Sequence, residues 1–187
     1  MFGRSRKKPP TAEDIEAREI KDPARARSRT MTRAVNLLAA RPRSVEELRE
    51  RLMEKSWTDS EIVAGVIETL LSYKYLDDKQ YAADLAASKL RGRPQGKRKL
   101  RQSMSRKKLD REVIEDAVRT AFENTPEEEL IDVAIQRRLR LKGAPETRED
   151  AKKFYDHLLR QGFSYGLIRD RMNSLEINGP EIEITGE

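Results

Sequence analysis

The chain has 187 residues, of which 39% are charged, 36% apolar and 5% aromatic, with a formal charge of +6. That balance excludes one large globular core and fits a short array of small helical units, each completed by its neighbour. With no cysteine there is no disulfide framework and no thiolate chemistry, and with no span-length apolar run and no secretory pattern at the start the expected location is the cytoplasm.

Residues 1–28 open on MFGRSRKKPP and continue in mixed charges, so a flexible, basic-ended tail is expected, with at most a loose helix over Ala12 to Ile20. A first repeat is expected over 29–73, with helices near 31–40, 45–55 and 59–72. Ala34, Leu37 and Leu38 form the apolar face of the first helix, and Arg41-Pro42 ends it. Ser44 caps the second helix with Glu47 as its capping-box partner. A second repeat, 74–122, opens on Asp78 as N-cap of a helix bearing Tyr81, Ala82, Leu85 and Ala86, which runs to about Arg91 and breaks at Gly92-Arg93-Pro94-Gln95-Gly96. A third repeat, 123–175, starts at Thr125-Pro126-Glu127-Glu128, carries Ile131, Ala134, Ile135 and Leu139, stops at Gly143-Ala144-Pro145 and restarts at Thr147. The acidic tail 176–187 is expected to be disordered, with Ile182 and Ile184 alternating with Glu as in a short strand.

The repeat shows in the segment from Gly96 to Phe122. Slid back onto Ser44 to Leu70 without a gap, it places Leu100 on Leu48, Met104 on Leu52, Leu109 on Trp57, Ile114 on Ile62, Val118 on Val66 and Phe122 on Leu70. Slid forward, the same positions become Phe154, Leu158, Phe163, Ile168 and Met172, and the match fails at Glu176. Apolar residues four apart on both sides of a short break describe two amphipathic helices and a tight turn. Trp57, Leu109 and Phe163 are the expected buried anchors of these turns, each followed by a capping residue: Thr58, Asp110 or Ser164. The residue before each anchor requires φ > 0, which Gly162 satisfies, while Ser56 and Lys108 imply strain or a different cap. The expected fold is all-α: three tandem three-helix repeats in an elongated, curved array.

Chemistry concentrates between Leu85 and Leu109. That stretch holds Lys89, Arg91, Arg93, Lys97, Arg98, Lys99, Arg101, Arg106, Lys107 and Lys108 and no acidic residue. A solvated helix face interleaves both signs, so one sign over this length points to an anionic polymer or an acidic groove rather than to decoration. A second cluster, Arg137, Arg138, Arg140 and Lys142, competes with a simpler account, since cations in a last turn also favour the helix C-terminus. Reversing Lys97, Arg98 and Lys99 to Glu is expected to remove partner binding without disturbing the fold.

Nothing in the chain reads as an enzyme or requires a cofactor or metal. His157 is the only histidine and reads as partly exposed and structural. No nucleophile elbow, phosphate-binding loop or dinucleotide fingerprint occurs. Reading duplex DNA by the last helix of each repeat is a minority view. Asp59, Glu61 and Glu68 would repel phosphate, Arg111 and Arg119 are mixed with Glu112, Glu115 and Asp116, and only Arg169, Arg171 and Asn173 suit the role.

Three tandem units, the stretch from Leu76 to Ala82, the following Arg91, Gly96 and Leu100, and Leu159-Arg160-Gln161-Gly162-Phe163-Ser164 resemble the RecX family, regulators of the RecA recombinase. Ala34, Leu37 and Leu38, followed by Arg43-Ser44 and Glu47-Leu48, resemble that family's first unit. The family often has Gly before each large turn residue, and Ser56 and Lys108 depart from this. The resemblance covers about 31–175. It implies a non-catalytic, monomeric protein that binds the RecA filament on single-stranded DNA, lies in its groove and limits strand exchange and the SOS response. Two other readings stay open beside it. One is a protein that contacts DNA directly without RecA, and the other is a scaffold whose basic patch meets an acidic protein.

Overall fold

The computed structural model describes residues 20–175. Every regular element among them is helical: α1 Pro23–Ala40, α2 Val45–Met53, α3 Ser60–Ser72, α4 Asp78–Gly92, α5 Lys97–Ser105, α6 Arg111–Asn124, α7 Glu127–Lys142, α8 Arg148–Arg160 and α9 Tyr165–Ser174. The chain is thus an all-α helical repeat. The acidic tail, the loose helix expected over Ala12 to Ile20 (Ile20 itself excepted) and the strand at Ile182 and Ile184 lie outside the described residues.

The described residues divide into two compact units, one of residues 20–81 with 107–109 and one of residues 82–106 with 110–175. In the first, α1, α2 and α3 close on Ala34, Leu48, Leu52, Val63, Val66, Ile67, Leu70 and Leu76, with Met31, Leu37 and Leu38 partly buried against them. The helix α1 begins at Pro23, inside the stretch expected to be a flexible tail. Asp22 caps it, accepting a hydrogen bond from the Arg25 amide at 2.9 Å, and Pro23 sits where a missing amide hydrogen does no harm. Ala26, Thr30 and Ala34 are buried at four-residue spacing. Two of these are alanines and one is polar, so no hydrophobic stripe announces the extra turns. The Thr30 hydroxyl is satisfied internally, donating to the Ala26 carbonyl at 2.8 Å and lying 3.0 Å from the Thr58 hydroxyl.

The first turn departs from the gapless repeat. Asp59, not Thr58, caps α3, accepting from the Ile62 amide at 2.8 Å. Thr58 takes the buried anchor position, and Trp57 is only half-buried. On α3 the inward residues are Val63, Val66, Ile67 and Leu70: Val66 and Leu70 keep their aligned places, while Val63 takes the place the alignment gave to Ile62. The turn of repeat one therefore holds one residue more than those of repeats two and three. The extra residue explains why Ser56 avoids positive φ, whereas Lys108 at φ 55° and Gly162 at φ 89° adopt it. Leu109 and Phe163 are buried as expected.

Three other caps also differ: Asp110 stands at the N-cap of α6 but makes no side-chain capping bond, and two more are re-partnered. Asp77, rather than Asp78, accepts from the Gln80 amide at 2.9 Å, while Asp78 reaches the amide of Val45 at the start of α2, also at 2.9 Å. Ser44 caps α2 through the Glu47 amide at 3.1 Å, and its own hydroxyl donates to the Lys107 carbonyl at 2.6 Å. The Glu47 carboxylate does not complete the box. It pairs with Lys107 at 3.4 Å.

In the second unit, α5 and α6 pack through Leu100, Met104, Ile114, Val118 and Phe122. The helices α7, α8 and α9 pack through Ile131, Ile135, Phe154, Leu158, Phe163, Ile168 and Met172. The α8–α9 turn is a Schellman ending. The Phe163 amide donates to the Leu158 carbonyl at 3.4 Å and the Gly162 amide to the Leu159 carbonyl at 2.9 Å. This turn meets the start of α5, where the Gly96 amide donates to the Gln161 carbonyl at 2.9 Å. A Cβ on Gly96 would lie 2.2 Å from the Gly162 oxygen, and one on Gly162 would lie 2.5 Å from the Lys99 backbone nitrogen. Two glycines let two backbones touch, and that contact fixes where the basic segment sits within the unit.

Candidate partner interface

The ten cations between Leu85 and Leu109 separate into two groups once their partners are known. Six are held by the fold. Lys97 donates its backbone amide to Glu127 at 3.0 Å, and its ammonium lies 3.8 Å from the same carboxylate. Arg98 donates to the Leu159 carbonyl at 2.7 Å, and Lys99 to the Gln161 side-chain oxygen at 2.7 Å. The Arg101 Nε–H is shared between the two Glu115 carboxylate oxygens at 2.8 and 2.9 Å. Lys107 pairs with Glu47 and Lys108 with Glu50. These contacts tie α5 to α6, α7 and the α8 terminus, and tie the 107–109 turn to α2.

The other four, Lys89, Arg91, Arg93 and Arg106, have no carboxylate partner among the described residues. Three of them converge. Lys89 from the last turn of α4, Arg93 from the Gly92–Gly96 loop and Arg106 from the end of α5 line one groove of about 720 Å3, joined by Lys99. Its floor is polar, with Ser88, Gln102 and Ser103, and no acidic side chain is among its described lining residues. Burial, reinforced by Arg93, holds the Lys99 ammonium below its usual pKa. The Arg93 contribution, the smaller of the two, reflects like charges gathered in the groove without an acid to answer them.

The sequence treated the segment 89–108 and the cluster 137–142 as separate patches. In the structure they meet. Arg93 and Gln161, which line the groove, also line a smaller pocket with Arg137, Arg138, Lys142 and His157. Arg140 does not line it. Gln161 entered the sequence reading only within the stretch Leu159 to Ser164 and not as a site residue; it matters through its neighbour Gly162, which brings the α8 terminus against α5. The earlier expectation for Lys97, Arg98 and Lys99 also changes. Each is bonded inside the unit, so reversing their charge attacks the fold as well as any partner.

Residues 31–70 match the sequence pattern described as RecX, first three-helix domain, and residues 77–118 the one described as RecX, second three-helix domain. The regulatory protein RecX of Prosthecochloris aestuarii is 30% identical over 150 residues, covering 80% of this chain and 95% of that protein. The chain belongs to the RecX family. The RecX regulatory protein of Clostridioides difficile is 30% identical over 156 residues, covering 81% of this chain and 70% of that protein. A crystal structure of RecX from Lactobacillus salivarius superposes with a TM-score of 0.72 at 21% identity, covering 83% of this chain and 99% of that one. A second RecX crystal structure gives 0.67 at 23% identity. The two structures speak for the fold, and the curated relatives for a regulatory role. Neither RecX pattern reaches α7–α9, yet that segment supplies the Gly162 turn and the Gln161 side chain that shape the groove. No helix among the described residues is long and apolar enough to cross a membrane.

Proposed function

We propose that this RecX-family chain binds the RecA filament assembled on single-stranded DNA and restrains its growth, and with it strand exchange and the SOS response. In this reading it is a cytoplasmic, monomeric, non-catalytic protein without a cofactor, built from three repeats at 29–73, 74–122 and 123–175. The observation that carries the reading is the groove of Lys89, Arg93, Lys99 and Arg106, whose described lining contains no acid. Lys89, Arg93 and Arg106, without carboxylate partners among the described residues, can neutralise a nucleoprotein surface, releasing counterions as they do so. Arg137 and Arg138 add to the same charge through their link at Arg93. On the Trp57 face, by contrast, the ring already carries a cation of its own, the Arg29 guanidinium 4.3 Å from the ring centre.

The test is co-sedimentation with RecA filaments formed on single-stranded DNA, run beside naked strand of the same length. Co-pelleting with the filament, lost on replacing Lys89, Arg93 and Arg106, supports the reading. Equal binding to naked DNA with no effect on RecA strand exchange would leave a direct DNA-binding protein. Binding to neither would return the groove to ordinary solvated surface.

A further inference from the structure

Beside the groove lies a pocket of about 210 Å3 between α7, α8 and the Gly92–Gly96 loop. Three chain segments send cationic or protonatable groups to it: Arg93 from the loop, Arg137, Arg138 and Lys142 from α7, and His157 from α8. No acidic side chain is among its described lining residues. Pro94, Ala134 and Leu141 supply an apolar wall.

The helix dipole accounts for only part of this. Arg140 and Lys142 occupy the last turn of α7, where cations are favourable without any ligand. Arg93 and His157 come from other segments, and Arg137 and Arg138 lie further up the helix. Like charges gathered without a counter-charge repel, so their convergence asks for an anion. Arg138 adds a second, independent sign. Its guanidinium is set 5.8 Å from the Phe154 ring centre, and its Nε is buried with no hydrogen-bond partner in the structure. A buried donor left unpaired is a free-energy cost that a bound acceptor removes.

We propose that the pocket formed by Arg93, Arg137, Arg138, Lys142 and His157 binds a phosphate dianion, the group shared by inorganic phosphate and the phosphorylated 5′ end of a nucleic-acid strand. Arginine forks and an imidazole N–H suit a tetrahedral oxyanion with acceptors facing several directions, and four fixed cations favour a dianion over a singly charged diester. The pocket is several times the volume of one water, so it admits such a group with part of its hydration. The site adjoins the groove, sharing Arg93 and Gln161 with it, but its binding of phosphate does not depend on the filament reading.

His157 is the chain's only histidine, so the ring C–H resonances of untagged full-length protein report this pocket alone. Its pKa is held low, first by burial and then by Arg138, Arg160 and Lys99, with Arg93, Arg137 and Lys142 also lining the pocket. Inorganic phosphate added at constant ionic strength should shift these resonances saturably and raise the pKa, whereas chloride should not. The double variant R137Q/K142Q changes two exposed side chains and should raise the half-saturating concentration at least about tenfold, the effect of losing one charge-assisted hydrogen bond. A 5′-phosphorylated dinucleotide compared with its 5′-hydroxyl form separates the two sources. Preference for the phosphorylated form assigns a strand end, and binding of inorganic phosphate alone assigns the free ion. Absence of a saturable shift in the wild-type protein overturns the proposal whatever the variant does, as does a shift that R137Q/K142Q leaves unchanged. Because no partner is present, this result stands apart from the sedimentation test. A silent His157 with intact filament binding removes the pocket and keeps the interface, and the opposite pair of results does the reverse.

Discussion

Lys108 holds a left-handed backbone at φ 55° without the freedom of glycine. That conformation costs an L-residue about 1 kcal/mol or more. Lys108→Gly should therefore be more stable than Lys108→Ala by about 1 kcal/mol in urea unfolding, because both lose the Glu50 pair and only one keeps the strain. Ser56 should show the opposite order, Ser56→Ala above Ser56→Gly, since its φ is ordinary and glycine there only loosens the unfolded chain. The same order at both positions would mean that the two turns are alike after all. The anchors divide in the same way. Phe163 is 2% exposed, and truncation to Ala should cost about 3–5 kcal/mol. Trp57 is half-buried, covered by Arg29 at 4.3 Å and Lys55 at 5.6 Å, with its indole N–H unpaired. Trp57→Ala should cost about 1–2 kcal/mol. Equal losses in thermal melting would restore Trp57 to the core.

At the scale of the element, periodicity carried most of the fold. Leu48, Leu52, Leu100, Met104, Leu158, Ile168 and Met172 are inward as their four-residue spacing requires, and Gly162 and Lys108 turn where the pattern breaks. Two things were not legible. The first turns of α1 are buried through Ala26 and Thr30, residue types that carry no hydrophobic signal. The extra residue in the first turn hides because Trp57 fills an apolar slot in the alignment while Thr58 fills it in space. Helix α8 adds a titration that sequence could not show. Tyr155 is buried beside Tyr165, ring centres 5.4 Å apart, with its hydroxyl unpaired. Burial, helped by Tyr165, pushes its pKa up to about 12. The unfolded chain then loses this proton first, so the stability Tyr155 contributes is full below about pH 10 and disappears as pH rises toward 12. Tyr155→Phe removes a buried hydroxyl that makes no hydrogen bond. It should hold or raise stability at pH 7, by up to about 1 kcal/mol, and flatten the decline above pH 10. A loss of more than about 1 kcal/mol at pH 7 would show that the hydroxyl has a partner, such as bound water.

At the scale of the molecule, the basic run is divided by the fold: Lys97, Arg101, Lys107 and Lys108 pair with carboxylates, and Arg98 and Lys99 bond to neutral oxygens. The run from Lys89 to Lys108 looks uniform in sequence because Glu47, Glu50, Glu115 and Glu127, which answer it, are remote in the chain. Only the fold shows which cations remain for a partner, and it yields two triple variants with opposite signatures. Lys89→Glu, Arg93→Glu and Arg106→Glu together change side chains without carboxylate partners, so the melting temperature should stay within a degree or two of wild type, as surface charges allow. Filament binding should be lost, and any residual binding should depend less steeply on salt, by about 0.7 per lost phosphate contact on a log–log scale for single strands. Lys97→Glu, Arg98→Glu and Lys99→Glu together face Glu127, the Leu159 carbonyl and Gln161 with the wrong charge. That protein should melt several degrees lower, and its loss of binding would not by itself locate the interface. If the first triple variant instead restrains RecA strand exchange at the wild-type concentration, in low and moderate salt alike, the groove is not the contact. If the second melts like wild type, the bonds that hold α5 contribute nothing to its place in the unit.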